Sequence, residues 1–431
     1  MKALVMAGGF GTRLKAITGG EIPKPMAEIC GKPIILRAVE SLKKYGVDHF
    51  FFSVSHLSEK IIEYFGNGEK FGVKIEYIKE ETPLGSGGAL YYLKGKVQDD
   101  FVVCSGDTVF DIDVKRMLAF HKKRKAVATL LTHPNSHPYD SDIMVCDRFG
   151  RVQKIDLKGS ERNYYYKNNV NAGFFIINPS ALSYFTQVKK VNMEHDFIAS
   201  LIGGGERVYA YKSPEFIKDV GTPERFAAVS RQIEEGLPEK RNLNRPQKAV
   251  FLDRDGTINE YKGFIRSADD ITLVPDATKA IKLLNDSGYL AIIVSNQPVI
   301  ARGEASYSDV WNTFDKIETL LGKEGAFIDG VYFCPHHPHK GFKGEVKRLK
   351  KDCDCRKPKI GLLLKAAKDF NLDMKSCWII GDSEADVLTG VNAGIPQIKV
   401  KSALQEKENV CPTYYADDLL SAVKIITEKG L

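Results

Sequence analysis

The sequence predicts an α/β protein of two domains, each a sheet whose strands alternate with helices. Three observations carry that expectation. The chain has 431 residues, more than one hydrophobic core ordinarily organises. Strand-like and helix-like segments alternate from the first residues onward, as in a mainly parallel sheet with helices on both faces. The alternation then restarts at Ala249, after EEGLPEKRNLNRPQ (234–247), a polar stretch with two prolines and no apolar period. That stretch reads as a linker between domains at 1–233 and 248–431.

The bulk composition narrows the function classes. A 43% hydrophobic, 27% charged chain with net charge +7 is ordinary for an α/β enzyme. The mild positive balance suits anionic small molecules. No aromatic-interleaved basic stripe or nucleic-acid module is present, so no nucleic-acid partner is expected. The runs HKKRK (121–125) and KRLKK (347–351) read as solvated faces. MKALVMAGG is too short for a secretory signal, and no window approaches a membrane span, so a cytoplasmic enzyme without a membrane partner is expected. Whether it forms a homo-oligomer is left open. Eight cysteines in a reducing compartment do not make a disulfide framework.

In the first domain KALVMA reads as a strand, IILRAVESLKKYG as a helix, HFFFSVS as a strand and SEKIIEYFG as a helix. The loop MAGGFGTRL (6–14) follows the first strand directly. Its glycines permit close backbone approach and positive φ. Its successive N–H groups suit phosphate oxygens, with Arg13 adding a charged donor fork. The spacing is neither GxGxxG nor GxxxxGK[ST], so the two commonest phosphate loops are set aside. Alone, a glycine-rich strand-to-helix turn says little. IPKPM (22–26) holds Lys24 between two stiffening prolines. TPLGSGGAL (82–90) is a second glycine-rich loop. CSGDTVF (104–110) and FIKDVGTPERF (216–226) each end a strand on an aspartate, Asp107 and Asp219. Two carboxylates at strand ends can share one Mg²⁺ on triphosphate oxygens.

Together these motifs resemble those of the sugar-1-phosphate nucleotidyltransferases, over about residues 1–230. The resemblance rests on GGFGTRL (8–14), PKPM (23–26), LGSGGA (84–89), GDT (106–108), NAG (171–173) and DVGTPE (219–224). It implies a Rossmann-like, GT-A-like mixed sheet. It implies nucleotide contacts at Ala7, Gly8, Gly9, Gly11, Thr12, Arg13 and Gly85, and Mg²⁺ on Asp107 and Asp219. It also implies sugar or phosphate contacts at Lys158, Asn171 and Gly173. The family's Glu-Lys pair stands here as Leu157-Lys158, without the glutamate. The implied reaction passes through no covalent enzyme intermediate, and Arg13 and Lys24 act by alignment and electrostatic stabilisation. The likeness best fits the branch handling heptose or mannose phosphates, often with guanine.

The second domain opens with AVFLDRDGTINE (249–260), an apolar strand that ends on Asp253 and Asp255. Like charges that close need an outside reason to coexist, and a Mg²⁺ and a phosphate supply one. Asp253 is placed as a nucleophile and Asp255 as an acid and base. A calcium loop would need a glutamate where Phe264 stands. AIIVSNQ (291–297) ends a strand on Ser295 and Asn296, CRKPK (355–359) offers Arg356 and Lys357, and WIIGDSEADV (378–387) ends a strand on Asp382. This order resembles the haloacid dehalogenase superfamily of phosphatases, which implies a Rossmannoid parallel sheet and Mg²⁺ on Asp253, Asp255 and Asp382.

Between two of these motifs lie Cys334-x-His336 and Cys353-x-Cys355. Three thiolates and one imidazole make the closed tetrahedral set of structural zinc, with His337 and His339 as alternatives to His336. With FLDRDGTIN and SNQ, this arrangement resembles the heptose bisphosphate and histidinol phosphatases over about residues 248–400. SNQPVIARG departs from the pattern by placing Pro298 and Val299 after SNQ. The joint expectation is a bifunctional enzyme that removes the 7-phosphate of a heptose 1,7-bisphosphate and then activates the heptose 1-phosphate as a GDP sugar for surface glycans. Another sugar with another phosphatase substrate, or a regulatory fusion, are the alternatives.

Overall fold

The computed structural model describes residues 1–9, 12–401 and 409–429. The chain forms two compact units. The first gathers Met1–His133, Asp142–Leu157 and Val170–Asn242. The second gathers Leu243–Leu431 together with two earlier segments, Pro134–Ser141 and Lys158–Asn169. The stretch 234–247 contains a short helix, Leu237–Arg241, which carries a proline in its first turn, where the missing N–H costs nothing. One and a half turns are too few to show an apolar period.

In chain order the strands of the first unit are β1 (Lys2–Met6), β2 (Glu28–Ile29), β3 (Lys32–Pro33), β4 (His49–Val54), β5 (Lys74–Lys79), β6 (Phe101–Ser105), β7 (Thr108–Asp111), β8 (Ala128–His133), β9 (Ile143–Cys146), β10 (Val152–Asp156), β11 (Val170–Ile177), β12 (Val208–Lys212) and β13 (Phe216–Asp219). The main sheet has the order β10-β9-β11-β6-β1-β4-β5, with β8 on β11 and β12 on β8. It is mixed. β1 runs parallel to β4 and β6, whereas β11 runs antiparallel to β6 and β8. That is the mixed sheet the nucleotidyltransferase resemblance implies, whereas alternation over residues 1 to about 230 by itself implies a mainly parallel one. The later strands depart from it because β9 and β10 are joined by a tight turn at Asp147–Gly150, and a short turn forces antiparallel pairing.

Successive β1 residues point to opposite faces. Ala3 and Val5 pack with Phe50 and Phe52 on one side, and Leu4 packs with Phe51 and Val103 on the other. Both faces are covered, so β1 reads as an unbroken apolar run.

The second unit holds β14 (Ala249–Leu252), β15 (Leu290–Asn296), β16 (Gly330–Cys334), β17 (Trp378–Gly381), β18 (Gln397–Val400) and β19 (Tyr414–Ala416). All pairings are parallel, in the order β16-β15-β14-β17-β18-β19. The chain builds outward from β14 to one side and then returns to build the other. Loops leaving β14 and β17 therefore diverge and open a crevice at their carboxyl ends. In the first unit the same reversal lies between β1 and β6. Among the described residues no helix is long and apolar enough to cross a membrane.

Candidate active sites

In the first unit the reversal brings the MAGG loop and the Asp107 loop to one edge of the sheet. Ala7 continues β1, its N–H donating to the Ser53 carbonyl at 2.8 Å. The Gly8 carbonyl accepts from Ser55 Oγ at 2.6 Å, and Gly9 is exposed. A short 3-10 helix begins at Thr12 and carries Arg13; Gly11 lies outside the described residues. β7 and β13 pair antiparallel with Thr108 opposite Asp219, and Val220 N–H donates to the Asp107 carbonyl at 3.2 Å. That register makes neighbours of two aspartates far apart in sequence.

Cations complete the cluster. The buried Lys24 pairs with Asp107, whose other oxygen accepts from Ser105 Oγ. Arg225 pairs with Asp219 at 2.5 Å, and Gly221 N–H donates to Asp219 at 2.9 Å. Burial acts to raise the Asp219 carboxyl, but Arg225 and the Gly221 N–H outweigh it and hold it below its ordinary range. A Cβ placed on Gly221 would stand 2.8 Å from Asp219 Oδ1, 3.4 Å from Arg13 Nη2 and 3.6 Å from Lys24 Nζ. Arg13, Lys24, Asp107 and Asp219 thus surround one spot that only a glycine leaves open. Two hard carboxylate donors there suit Mg²⁺.

Gly85 has φ +73 and sits against the Val191 carbonyl, so the second loop packs on the segment leading to Glu194. Asn171 donates to Glu194 at 2.9 Å, and Gly173 has φ +69. Burial pushes the Glu194 carboxyl up. Lys158 belongs to the second unit and pairs with Asp140 at 2.8 Å.

In the second unit Asp253 follows β14 directly and is buried. Lys357 Nζ donates to Asp253 at 2.7 Å, to Asp386 at 2.5 Å and to the Val294 carbonyl at 2.9 Å. Burial pushes the Asp253 carboxyl up to about 7; Lys357 works against that, and Asp386 and Asp255 add to it. Burial acts to lower Lys357, but the Asp253 and Asp386 carboxylates outweigh it and hold it above its ordinary range. Asp253, Asp382 and Asp386 bring one oxygen each within 4.8 Å of one another, a donor set fit for a hard divalent cation. Gly256 has φ +82, and a Cβ there would overlap the Asp382 carboxylate. The glycine after DRD is thus required by both conformation and space.

Asp255 faces elsewhere. Its carboxylate accepts from Arg254 Nε and Nη2 at 3.0 and 2.8 Å, from Asn259 at 3.1 Å and from Gln297 at 3.0 Å. Its side chain is therefore not among the three clustered carboxylates. Ser295 is buried at the end of β15 and accepts from Gln297 at 2.9 Å. Asn296 uses both ends of its amide on Lys357: it accepts from the backbone N–H at 3.0 Å and donates to the carbonyl at 3.1 Å. It thereby holds the lysine. Arg356 donates to the His336 carbonyl at 3.2 Å.

Cys334, His336, Cys353 and Cys355 form one cluster. The three sulfur–sulfur separations are 3.5, 3.3 and 3.3 Å, and His336 Nδ1 lies 3.6 and 3.3 Å from the sulfurs of Cys334 and Cys355. Zinc bonds of about 2.3 Å to sulfur and about 2.0 Å to nitrogen imply tetrahedral edges of roughly 3.5–3.8 Å, so the donors fit that ion. His337 instead meets the His339 carbonyl. Burial pushes the Cys334 and Cys355 thiols up.

Residues 2–236, more than half of the chain, match the nucleotidyl transferase family. Residues 354–422 match a HAD-hydrolase-like family. Over 188 residues the chain is 36% identical to a D-glycero-beta-D-manno-heptose-1,7-bisphosphate 7-phosphatase of Pasteurella multocida, covering 43% of this chain and 98% of that protein. The chain belongs to the nucleotidyl transferase family in its first half and to the HAD-like phosphatases in its second. The transferase half is 30% identical over 238 residues to a D-glycero-alpha-D-manno-heptose 1-phosphate guanylyltransferase of Aneurinibacillus thermoaerophilus, covering 54% of this chain and 99% of that one. The chain is also 31% identical over 271 residues to mannose-1-phosphate guanylyltransferase 1 of Arabidopsis thaliana, covering 60% of this chain and 73% of the relative.

Several residues of these sites escaped the sequence reading. In the transferase, Glu80 accepts from Ser53 and from the Leu84 N–H, and so links β4 to the second glycine loop. Glu194 and Arg225 carried no motif. In the phosphatase, Asp386 did not escape that reading, since it stands four residues after Asp382 in WIIGDSEADV; the structure adds that it forms a capping box with Ser383. Arg254 and Gln297 stand inside FLDRDGTIN and SNQ, but their roles depend on neighbours distant in sequence and were not readable from those motifs.

Proposed function

We propose that the two halves carry out successive steps on one sugar. The phosphatase removes the 7-phosphate of D-glycero-α-D-manno-heptose 1,7-bisphosphate. The transferase then joins the heptose 1-phosphate to GMP from GTP and releases pyrophosphate. The observation that carries this reading is that each half spans nearly the whole of a relative, and that the phosphatase relative, named for the β anomer, makes a heptose 1-phosphate while the guanylyltransferase relative consumes one in the α form. Chemistry at C7 leaves C1 untouched, so one chain serving both steps needs the same anomer throughout. The guanylyltransferase relative points to α.

In the phosphatase, an Asp253 oxygen attacks phosphorus, the bond to the sugar oxygen breaks, and that oxygen takes a proton from Asp255. Water then attacks the aspartyl phosphate. Asp255 takes its proton, and phosphate leaves with Asp253 restored. Lys357 and Ser295 face the phosphoryl oxygens, while Asn296 and Arg356 hold the lysine loop. Asp253, Asp382 and the Asp255 backbone would hold Mg²⁺, which when bound neutralises phosphoryl charge. Cys334, His336, Cys353 and Cys355 would hold a structural zinc that orients Arg356 and Lys357.

In the transferase, an oxygen of the sugar phosphate attacks the α-phosphorus and the bond to pyrophosphate breaks. Arg13 and Lys24 stabilise the charge that develops. The backbone of Ala7, Gly8, Gly9, Gly11 and Thr12 cradles the nucleotide, and Gly85 lies at the base. Asp107 and Asp219 would hold Mg²⁺, which when bound would neutralise triphosphate charge. Asn171 and Gly173 are assigned to the sugar phosphate. A supply of GTP and reduced thiols places the reaction in the cytoplasm.

One incubation tests the reading. The protein, Mg²⁺, each anomer of the bisphosphate, all four nucleoside triphosphates and inorganic pyrophosphatase are combined and followed by mass spectrometry. GDP-heptose from the α anomer is expected. Heptose 1-phosphate without a nucleotide sugar would reject the activation step, and an untouched bisphosphate would reject the heptose assignment. Supplied with heptose 1-phosphate and GTP directly, Asp253→Asn should still form GDP-heptose while releasing no phosphate from the bisphosphate, and Asp107→Ala should release that phosphate but form no nucleotide sugar; a variant that fails in both assays refutes two independent sites.

A further inference from the structure

We infer that Gln297 is a positioning residue of the phosphatase, setting the Asp255 carboxyl group in place relative to the phosphate-binding end of β15. The inference rests on the phosphatase reading above. Gln297 is 2% exposed. Its backbone N–H donates to the carbonyl of Cys334 at 2.8 Å, so its main chain is tied to the strand that ends on the first cysteine of the zinc cluster. Its amide nitrogen donates to Asp255 Oδ2 at 3.0 Å and to Ser295 Oγ at 2.9 Å. Both N–H bonds of that nitrogen are therefore spent on residues assigned to the reaction, one on each side of it.

The other donors to Asp255 do a different job. Arg254 is its chain neighbour, fully buried, and anchored through Nη1 to Thr313 at 2.8 Å. Asn259 sits on the same turn, where the Gly256 N–H donates to the Asn259 carbonyl at 2.8 Å. Asn259 moves with Asp255 if the turn shifts, and Arg254 ties the carboxylate to the helix that carries Thr313 rather than to β15. Only Gln297 reaches the carboxylate from β15, the strand that carries Ser295. It alone among these donors sets the distance between the proton-transferring carboxyl group and the strand that holds the phosphate. A proton donor must meet the leaving oxygen within a narrow geometry, and a shift of about 1 Å can cost about 100-fold in rate.

A substrate pair separates positioning from support of the fold. A sugar alkoxide needs a proton as the P–O bond breaks, whereas 4-nitrophenolate leaves without one. In the full chain, Gln297→Met keeps the volume and removes both N–H donors, and Gln297→Glu keeps the shape but turns the donor nitrogen into an acceptor. Both variants are expected to lower the single-turnover rate of heptose 1-phosphate release roughly 10- to 100-fold and that of 4-nitrophenolate release by less than about 3-fold, because the water-activating role of Asp255 follows departure of the leaving group in both cases. Zinc content and tryptophan fluorescence equal to the parent show that each variant is folded. Equal losses on both substrates, or no loss on the sugar, overturn the inference. If the Met variant fails to fold, the Glu variant decides by the same ratio. An unaltered protein that releases phosphate from neither substrate overturns the phosphatase reading itself, a result distinct from a failure of the Gln297 variants alone.

Discussion

Replacing Lys357 with methionine should strip the phosphatase crevice of its only buried cation contact to Asp253 and Asp386 among the described residues, and the cost can be worked from the geometry. The ammonium is buried between carboxylates at 2.7 and 2.5 Å, and the residue is only 5% exposed. Removing one partner of a buried ionic cluster leaves uncompensated charge and costs about 3–5 kcal/mol. The Asp253 carboxyl is already pushed up to about 7 by burial, so protonation relieves part of that charge. The expected loss therefore falls near the lower limit, about 3 kcal/mol, which for a unit of this size corresponds to about 6–12 °C in Tm. Both tryptophans, Trp311 and Trp378, lie in the second unit, so their fluorescence during denaturant unfolding reads that unit alone.

The decisive comparison is a double-mutant cycle. Asp253→Asn removes the charge that Lys357 balances, so the double variant should lose less than the sum of the single losses, with a coupling of about 1–3 kcal/mol. Added Mg²⁺ should restore part of the stability of Lys357→Met, because a ligand that binds only the folded state stabilises it. Additive losses, with no coupling beyond about 0.5 kcal/mol, would refute the view that this lysine neutralises the crevice.

Gly221→Ala should cut nucleotide transfer about 10-fold or more by crowding Asp219 and Arg13 while leaving phosphate release unchanged; retention of full transferase activity would show that the spot between them is not used. Metal analysis of the native chain should find one zinc per molecule, and Cys353→Ala should lose it and unfold the second unit at lower denaturant than the parent, as expected for a closed structural site. His121 is 1% exposed, and burial lowers its pKa against a smaller upward pull from Asp100. Its folded pKa thus lies below the unfolded one. The unfolded chain takes up the proton first, so this group costs no stability above about pH 6.5 and increasingly destabilises the fold as the pH falls below that value. His121→Gln should flatten the fall in the circular-dichroism unfolding midpoint between about pH 7 and 5; an unchanged slope would count against it.

Much of each site was legible because its motifs are contiguous. A strand that ends in a glycine loop or an aspartate is a local event, and β1 with MAGG and β14 with Asp253 each occupy one junction. The Cys/His cluster was legible for a related reason: Cys334-x-His336 and Cys353-x-Cys355 are two close pairs, and three thiols with one imidazole make the donor set a tetrahedral ion asks for. The antiparallel half of the first sheet was less legible. Its short strands depend on turn length and partner choice, and alternation of apolar segments carries neither.

What residue order by itself determined is the kind of chemistry each half can support, since residue types and spacing suffice to place phosphate loops, carboxylates and thiols at strand ends. What only the tertiary structure decided is which of them meet. The pairing of β7 with β13 sets Asp219 beside Asp107, the crevice at the end of β14 sets Lys357 between Asp253 and Asp386, and β15 brings Gln297 to Asp255. These contacts join residues separated by tens to hundreds of positions. They exist because burying two-sided apolar strands selects one strand order, and that order, rather than proximity along the chain, chooses the partner of each polar group left at the sheet's edge.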